Sequence, residues 1–321
     1  MSQAAADLDT IATDWQLALD HAALALDANG RTFQPDELHA RRRALAAERA
    51  ETSQDLARLA RDVGARQVPW LSPTPLHARA LGLPDDVLAC VFDLDGVLTN
   101  SAALHAAAWA EVLDGLLLRL AQSLEWHFIP FDRVADYGAY LDGRPRIEGL
   151  RMFLRSRGIR LPEEAEHELA RRKSDALARG LRHGVNALPG ARRYLEAVGR
   201  AGIGRAVVSS STRTLPMLEL ADLAPLVEAR VDAEQIAAGE LRSRPAPDLL
   251  LRACELLAVQ PQRAATFAHT PDGIAAGRAA GLLVIGVAAD AAERERLHGH
   301  GAGTVVASLA DLLDRRLLEA A

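Results

Sequence analysis

Two rhythms of apolar residues alternate along the second part of this chain. From residue 87 onward, short continuous apolar runs recur: Val87-Leu88-Ala89-Cys90-Val91-Phe92, Arg205–Ser209, Ala264–Ala268, Leu282–Val287 and Gly303–Val306. Runs this short and this apolar predict strands buried on both faces. Between and after them, helical spacing predicts helices over 189–200, 213–221, 246–258, 271–281 and 307–319. Strands alternating with helices predict an α/β fold, a doubly wound parallel sheet of Rossmann-like type. Any site in such a sheet lies along the carboxyl ends of its strands.

Two stretches depart from that alternation. Residues 101–188 contain no clear strand, and their helical patterns run over 101–122, 146–157 and 163–182. An insertion of this length predicts a small helical cap, placed where it can close over a site and exclude water. Residues 1–86 read as a helical N-terminal extension. Trp15, Leu17, Leu19, Ala22, Ala23 and Leu26 share helical spacing up to a stop at Asn29-Gly30. A second helix is predicted over 35–63, and Pro69, Pro73, Pro75 and Pro84 mark a connector. The predicted organisation is an extension over 1–86, a core over 87–100 and 189–321, and a cap over 101–188. The extension carries no chemical motif, so its expected role is packing, including the surface for a homo-oligomer.

Composition narrows the partners. The 321 residues are 49% hydrophobic and 25% charged, with a formal net charge of −6. Neither basic cluster, Arg41-Arg42-Arg43 or Arg171-Arg172-Lys173, is extended, which argues against nucleic acid or an anionic membrane as partner. Cys90 and Cys254 cannot build a disulfide framework, and the first thirty residues lack the apolar core of a signal peptide. No uninterrupted apolar run reaches the roughly 18 residues of a membrane span, so a cytoplasmic protein is expected. Of the 37 basic residues, 36 are Arg and one is Lys173. Arg and Lys are not interchangeable where a compact ammonium is needed, which singles Lys173 out.

The candidate chemistry begins where the first strand ends. Asp93-Leu94-Asp95-Gly96 sets two carboxylates two residues apart, so that in extended chain both address one volume, and Gly96 lets the chain turn there. Carboxylates held this close repel unless a divalent cation lies beside them or one is protonated. The pattern suits one Asp as nucleophile and the other as acid/base, with Mg²⁺ beside them; a plain turn is the competing reading.

Further segments along the chain carry a resemblance. Phe92-Asp93-Leu94-Asp95-Gly96-Val97-Leu98-Thr99 resembles the first signature of the haloacid dehalogenase superfamily, and Val207-Val208-Ser209-Ser210-Ser211 its second. Arg244-Pro245-Ala246-Pro247-Asp248 is similar to its third, and Phe267-Ala268-His269-Thr270-Pro271-Asp272-Gly273-Ile274 keeps the frame of its fourth. In order and spacing the resemblance covers residues 87–321. It sharpens toward the β-phosphoglucomutase-like branch through His105 and Trp109, Gly143-Arg144-Pro145-Arg146, and Arg172-Lys173-Ser174-Asp175.

The resemblance implies phosphoryl transfer through an aspartyl phosphate on a small phosphorylated metabolite, chiefly a sugar phosphate, by a phosphatase or a phosphomutase. Asp93 is implied as nucleophile and Asp95 as acid/base, with Ser209 and Arg244 completing the catalytic set. His105, Trp109, Arg146, Lys173, Ser210 and Ser211 are implied as substrate contacts. A divalent cation, Mg²⁺ by resemblance, is implied at Asp93 and Asp95.

The chain departs from the pattern twice. Arg244 stands where Lys is usual, keeping the charge in a larger, forked group. Ala268-His269 replaces the usual acid pair, although Mg²⁺ demands hard oxygen ligands. Three readings stay open: Asp272 reaches the ion instead, although its place suggests helix capping; His269 selects Mn²⁺ or another transition metal; or the chain is a degenerate member that binds a phosphorylated ligand or a partner protein.

Overall fold

The computed structural model describes residues 77–238 and 241–313. The predicted helices within 1–76, and the end of the helix predicted over 307–319, lie outside the described residues.

Six strands form one wholly parallel sheet: β1 (Ala89–Asp93), β2 (Gly204–Val208), β3 (Ala229–Val231), β4 (Ala264–Ala268), β5 (Leu283–Val287) and β6 (Thr304–Val306). Their spatial order is β3-β2-β1-β4-β5-β6, which puts β1 in the middle of the sheet. All five residues of β1 are buried, as are those of β2 and β4 on either side. The alternation of side chains gives each sheet face its own core. Cys90, Phe92, Val207 and Phe267 face Tyr194, Leu195 and Val198, and Phe92 stacks on Phe267 with ring centroids 4.6 Å apart. Ala89, Val91, Ala206 and Val208 face Leu249, Leu250, Ala253 and Cys254 on the other side. The continuous apolar runs of the sequence therefore report burial on two sides.

The helices are α1 (Ser101–Leu124), α2 (Arg146–Ser156), α3 (Glu163–Leu181), α4 (Ala191–Arg200), α5 (Thr214–Leu220), α6 (Ala233–Ala237), α7 (Asp248–Leu256), α8 (Pro271–Ala280) and α9 (Ala291–Gly299). Helices α1 to α3 occupy the predicted insertion and share a separate apolar cluster built on Trp109, Leu113, Leu150 and Phe153. Helix α1 is long and apolar enough to cross a membrane, against the expectation from uninterrupted runs. Its apolar face, including Trp109 and Leu113, is instead buried in this cluster.

Three local differences have physical reasons. Strand β3 was not predicted, because its three edge residues, half-buried Ala229 and Arg230 and buried Val231, form no apolar run. Residues 78–83 belong to the predicted extension, yet Leu81 and Leu83 are buried in the core and the Tyr194 hydroxyl donates to the Leu81 carbonyl at 2.8 Å. Within the helix predicted over 307–319, the described part is a 3-10 turn, Leu309–Leu312, started by a Ser308–Asp311 capping box.

Candidate active site

The site opens at the carboxyl end of the central strand. Asp93 is the last residue of β1 and lies in register with Val208 of β2. The chain then turns at Gly96 (φ 71°), with the Gly96 N–H donating to the Thr99 carbonyl at 3.0 Å. A side chain at position 96 has no room, since a Cβ would lie 2.5 Å from the His269 ring. The turn returns the chain through Thr99 to Ser101, the first residue of α1. The Ser101 hydroxyl donates to Asp95 Oδ1 and shares a 2.6 Å hydrogen bond with Thr99. Both carboxylates thus line one cavity, roofed by the helices of the insertion.

Their surroundings differ. Asp93 is 2% exposed, and the Arg244 guanidinium donates to both of its oxygens, from Nη1 to Oδ2 at 3.1 Å and from Nη2 to Oδ1. The fork of Arg matches a carboxylate in a way a single ammonium does not. Asp95 is more open and faces His105 Nε2 at 3.8 Å. His105 Nδ1 is in turn 2.8 Å from Lys173 Nζ, which sits over the Trp109 ring at 5.6 Å. Burial, then the Lys173 charge, lower the His105 pKa to about 4, so the ring is neutral near pH 7. When Lys173 is protonated its Nζ donates to Nδ1, and Nε2 then presents its N–H toward Asp95.

Lys173 is itself 2% exposed, and burial followed by the charge of Arg146 lowers its pKa to about 7. Between pH 7 and the ordinary lysine range the unfolded chain holds a proton there that the folded chain has released. Stability attributable to this side chain therefore rises with pH, by at most about 1.4 kcal/mol per pH unit. Lys173→Met removes that dependence. Urea titrations from pH 7 to 10 are expected to show wild type gaining on Lys173→Met as pH rises; parallel curves would contradict it.

Ser209, Ser210 and Ser211 follow β2 and line the same cavity, with Ser209 Oγ accepting from the Ser211 N–H at 3.1 Å. Arg146, at the start of α2, donates to Ser174 Oγ on α3. Burial, then the charge of Arg213, lower the Arg146 pKa, which marks a second concentration of positive charge. The cavity is lined by Arg144, Arg146, Arg213, Arg244 and Lys173 against Asp93, Asp95 and Asp142. A chain of net charge −6 has gathered cations here, and the cavity suits an anionic ligand.

His269 follows the last residue of β4 and lies between two carboxylates. Its Nδ1 is 3.5 Å from Asp93 Oδ2, and its Nε2 is 3.2 Å from Asp142 Oδ2. The contact to Asp93 is a charge contact at the limit of hydrogen-bond length, and Nδ1 has no shorter partner. Burial works to lower the His269 pKa, but Asp142 and then Asp93 more than reverse it and raise it to about 10. The ring is therefore an imidazolium near pH 7. Burial likewise opposes the Asp142 carboxylate, yet the His269 charge holds its pKa below the ordinary range.

Asp272 is taken up elsewhere. Its carboxylate pairs with Arg144 at 2.8 Å, and the cap of α8 is Thr270, whose hydroxyl accepts from the Gly273 N–H at 3.1 Å. The donors implied for a metal therefore do not fit Mg²⁺. Asp93 is clasped by a guanidinium, Ala268 offers a methyl group, His269 is a cation, and Asp272 is paired with Arg144. Among the described residues no group of three or more His, Cys, Asp or Glu is arranged to hold an ion. Nε2 of the His269 ring is taken up by Asp142, while Nδ1 lies 3.5 Å from Asp93 Oδ2 with no hydrogen-bond partner.

Sequence reasoning did not single out Asp142 or Arg213. Asp142 sits beside the Gly143 turn, and nothing in the local sequence ties it to a histidine 127 positions away. Arg213 follows a run of hydroxyl residues and has no periodic signal of its own.

Comparison with known proteins agrees with this geometry. The haloacid dehalogenase-like hydrolase family matches residues 87–281. A β-phosphoglucomutase of Mycobacterium bovis is 44% identical over 259 residues, covering 76% of this chain and 99% of that protein. Hexitol phosphatase A of Escherichia coli is 29% identical over 206 residues, 63% of this chain and 83% of that protein. Among solved structures, a β-phosphoglucomutase from Clostridium difficile superposes with a TM-score of 0.59 at 23% identity, covering 73% of this chain and 96% of that one. Its likeness shows the shared fold. With the family matching more than half of its length, the chain belongs to the haloacid dehalogenase-like hydrolases, in their β-phosphoglucomutase-like branch.

Proposed function

We propose that this protein transfers a phosphoryl group of a small sugar phosphate through an aspartyl phosphate at Asp93, acting as a phosphomutase. The observation that carries the reading is the pair Asp93 and Asp95 at the end of β1, opening on one cavity whose charged lining is mostly cationic. Asp93 attacks phosphorus, the bond from phosphorus to the leaving oxygen breaks, and Asp95 gives that oxygen its proton. In the second step Asp95 takes a proton from the incoming hydroxyl, whose oxygen attacks phosphorus and frees Asp93. Ser209 and Arg244 stabilise the phosphoryl oxygens and the Asp93 carboxylate.

The second cationic cluster favours transfer between two positions of one sugar over simple hydrolysis. Arg146 and Arg213 can hold a phosphate at the far end of the substrate while the near one reacts at Asp93, with Lys173, His105 and Trp109 lining the space between. The relatives include one named a mutase and one named a phosphatase; in this site the two activities would share the first step and differ in whether a second hydroxyl or water resolves the intermediate.

A panel of hexose 1- and 6-phosphates, followed for isomer interconversion and for phosphate release, tests this. Interconversion is expected to exceed phosphate release. Phosphate release alone would make the protein a phosphatase, and no turnover of any sugar phosphate would refute phosphoryl transfer. Arg146→Ala is expected to raise KM about 10–100-fold with a smaller change in kcat, since it removes a charged contact remote from the reacting bond. An unchanged KM would remove Arg146 from the substrate site.

A further inference from the structure

We propose that His269, fixed between Asp93 and Asp142, takes the place of a divalent cation beside the nucleophile, so that this site holds a phosphoryl group with no metal ion. The inference rests on the phosphoryl-transfer reading above and deepens it.

The ring of His269 occupies the space between the nucleophile and Asp142. It contacts Asp93 Oδ2 from one nitrogen and Asp142 from the other, and the carboxylate oxygens of Asp93 otherwise meet the two Nη of Arg244. Gly96 closes over the ring so tightly that a Cβ there would lie 2.5 Å from it. On the far side the start of α8 also packs closely, since a Cβ at Gly273 would lie 2.9 Å from the Ala268 methyl and 3.3 Å from Asp93 Oδ2. A dication entering here would displace the imidazole ring and face the Arg244 charge at short range.

Charge balance points the same way. Arg244 and the ring of His269 both contact the carboxylate of Asp93, and Asp142 contacts the ring from its other side. Ala268-His269 in place of two acids removes two negative charges, the number that a divalent ion would have balanced. Asp142, from the insertion, contacts Nε2 of the ring and so ties the loop before α2 to the nucleophile. During transfer the proton passes between Asp95 and the leaving or entering oxygen, while His269 and Arg244 stay against the carboxylate of Asp93.

The test is calorimetric titration of inorganic phosphate into the full-length protein, in EDTA and in Mg²⁺, Mn²⁺ or Zn²⁺, alongside sugar-phosphate turnover under the same conditions. Phosphate affinity is expected to agree within about twofold with and without metal. His269→Asp should convert the site to one whose phosphate binding depends on Mg²⁺. Phosphate bound at least about tenfold more tightly with a metal by the wild type overturns the proposal. So does binding under neither condition. If His269→Asp does not fold, the wild-type comparison still decides. Metal-free phosphate binding without any turnover would support this inference while refuting the proposed function; turnover lost in EDTA and restored by Mg²⁺ would do the reverse.

Discussion

Asp93→Asn is expected to lower kcat/KM by more than about 10³-fold, since an amide cannot carry the phosphoryl group between donor and acceptor. The same change has a structural cost. Arg244 has 4% of its side chain exposed and pairs with Asp93 through both terminal nitrogens. Breaking one partner of a buried pair costs about 3–5 kcal/mol, toward the low end here because the Asn oxygen still accepts one hydrogen bond. The variant should therefore melt at lower temperature, and activity must be measured where it remains folded. A third readout separates chemistry from damage. Removing the negative charge at the point of attack relieves repulsion with a phosphate, so Asp93→Asn should bind inorganic phosphate more tightly than the wild type. Turnover at wild-type rates by a folded Asp93→Asn protein would dispose of the nucleophile assignment.

How much of this was legible in the sequence follows from where each signal is stored. The central strands were visible because residues such as Val91, Phe92, Val207 and Phe267 are buried on a two-sided sheet, which leaves an apolar run without polar gaps. The edge strand was invisible because Ala229 and Arg230 are only half buried. Asp93 and Asp95 could be placed at the cavity from the end of an apolar run, and Ser209 and Arg244 through the resemblance of the segments around them. His269 could be named but not understood. Its meaning depends on Asp142, and that pairing is made only when the insertion folds down on the sheet. Asp272 misled for the complementary reason: its first-turn position is compatible with capping or ligation, and the structure uses it to bind Arg144. Strand position and burial are local enough to read, whereas charge pairs across 100 or more positions are not.

Asp95→Asn should separate the two half-reactions. Asp95 accepts from Ser101, faces the N–H of His105, and is more exposed than Asp93, a setting that leaves its carboxyl free to exchange a proton with ligand. General acid–base catalysis contributes about 10²–10⁴-fold, so kcat on an alkyl phosphate such as a sugar phosphate should fall by that factor. The first step expels an alkoxide unless it is protonated, and Asn cannot supply the proton. An aryl phosphate with an acidic phenol leaves without that help, so Asp93 should still be phosphorylated by it. Resolution of the intermediate still needs a base to activate water, and that base is missing. With p-nitrophenyl phosphate the variant is therefore expected to release a stoichiometric burst of nitrophenolate, followed by a slow steady state, while the phosphoryl group stays on Asp93. Intact-protein mass spectrometry at the end of the burst should find the added phosphoryl mass, and Asp93→Asn in the same background should lose it. Equal loss of rate on alkyl and aryl substrates, with no burst, would mean that Asp95 holds the site in shape without handling the proton.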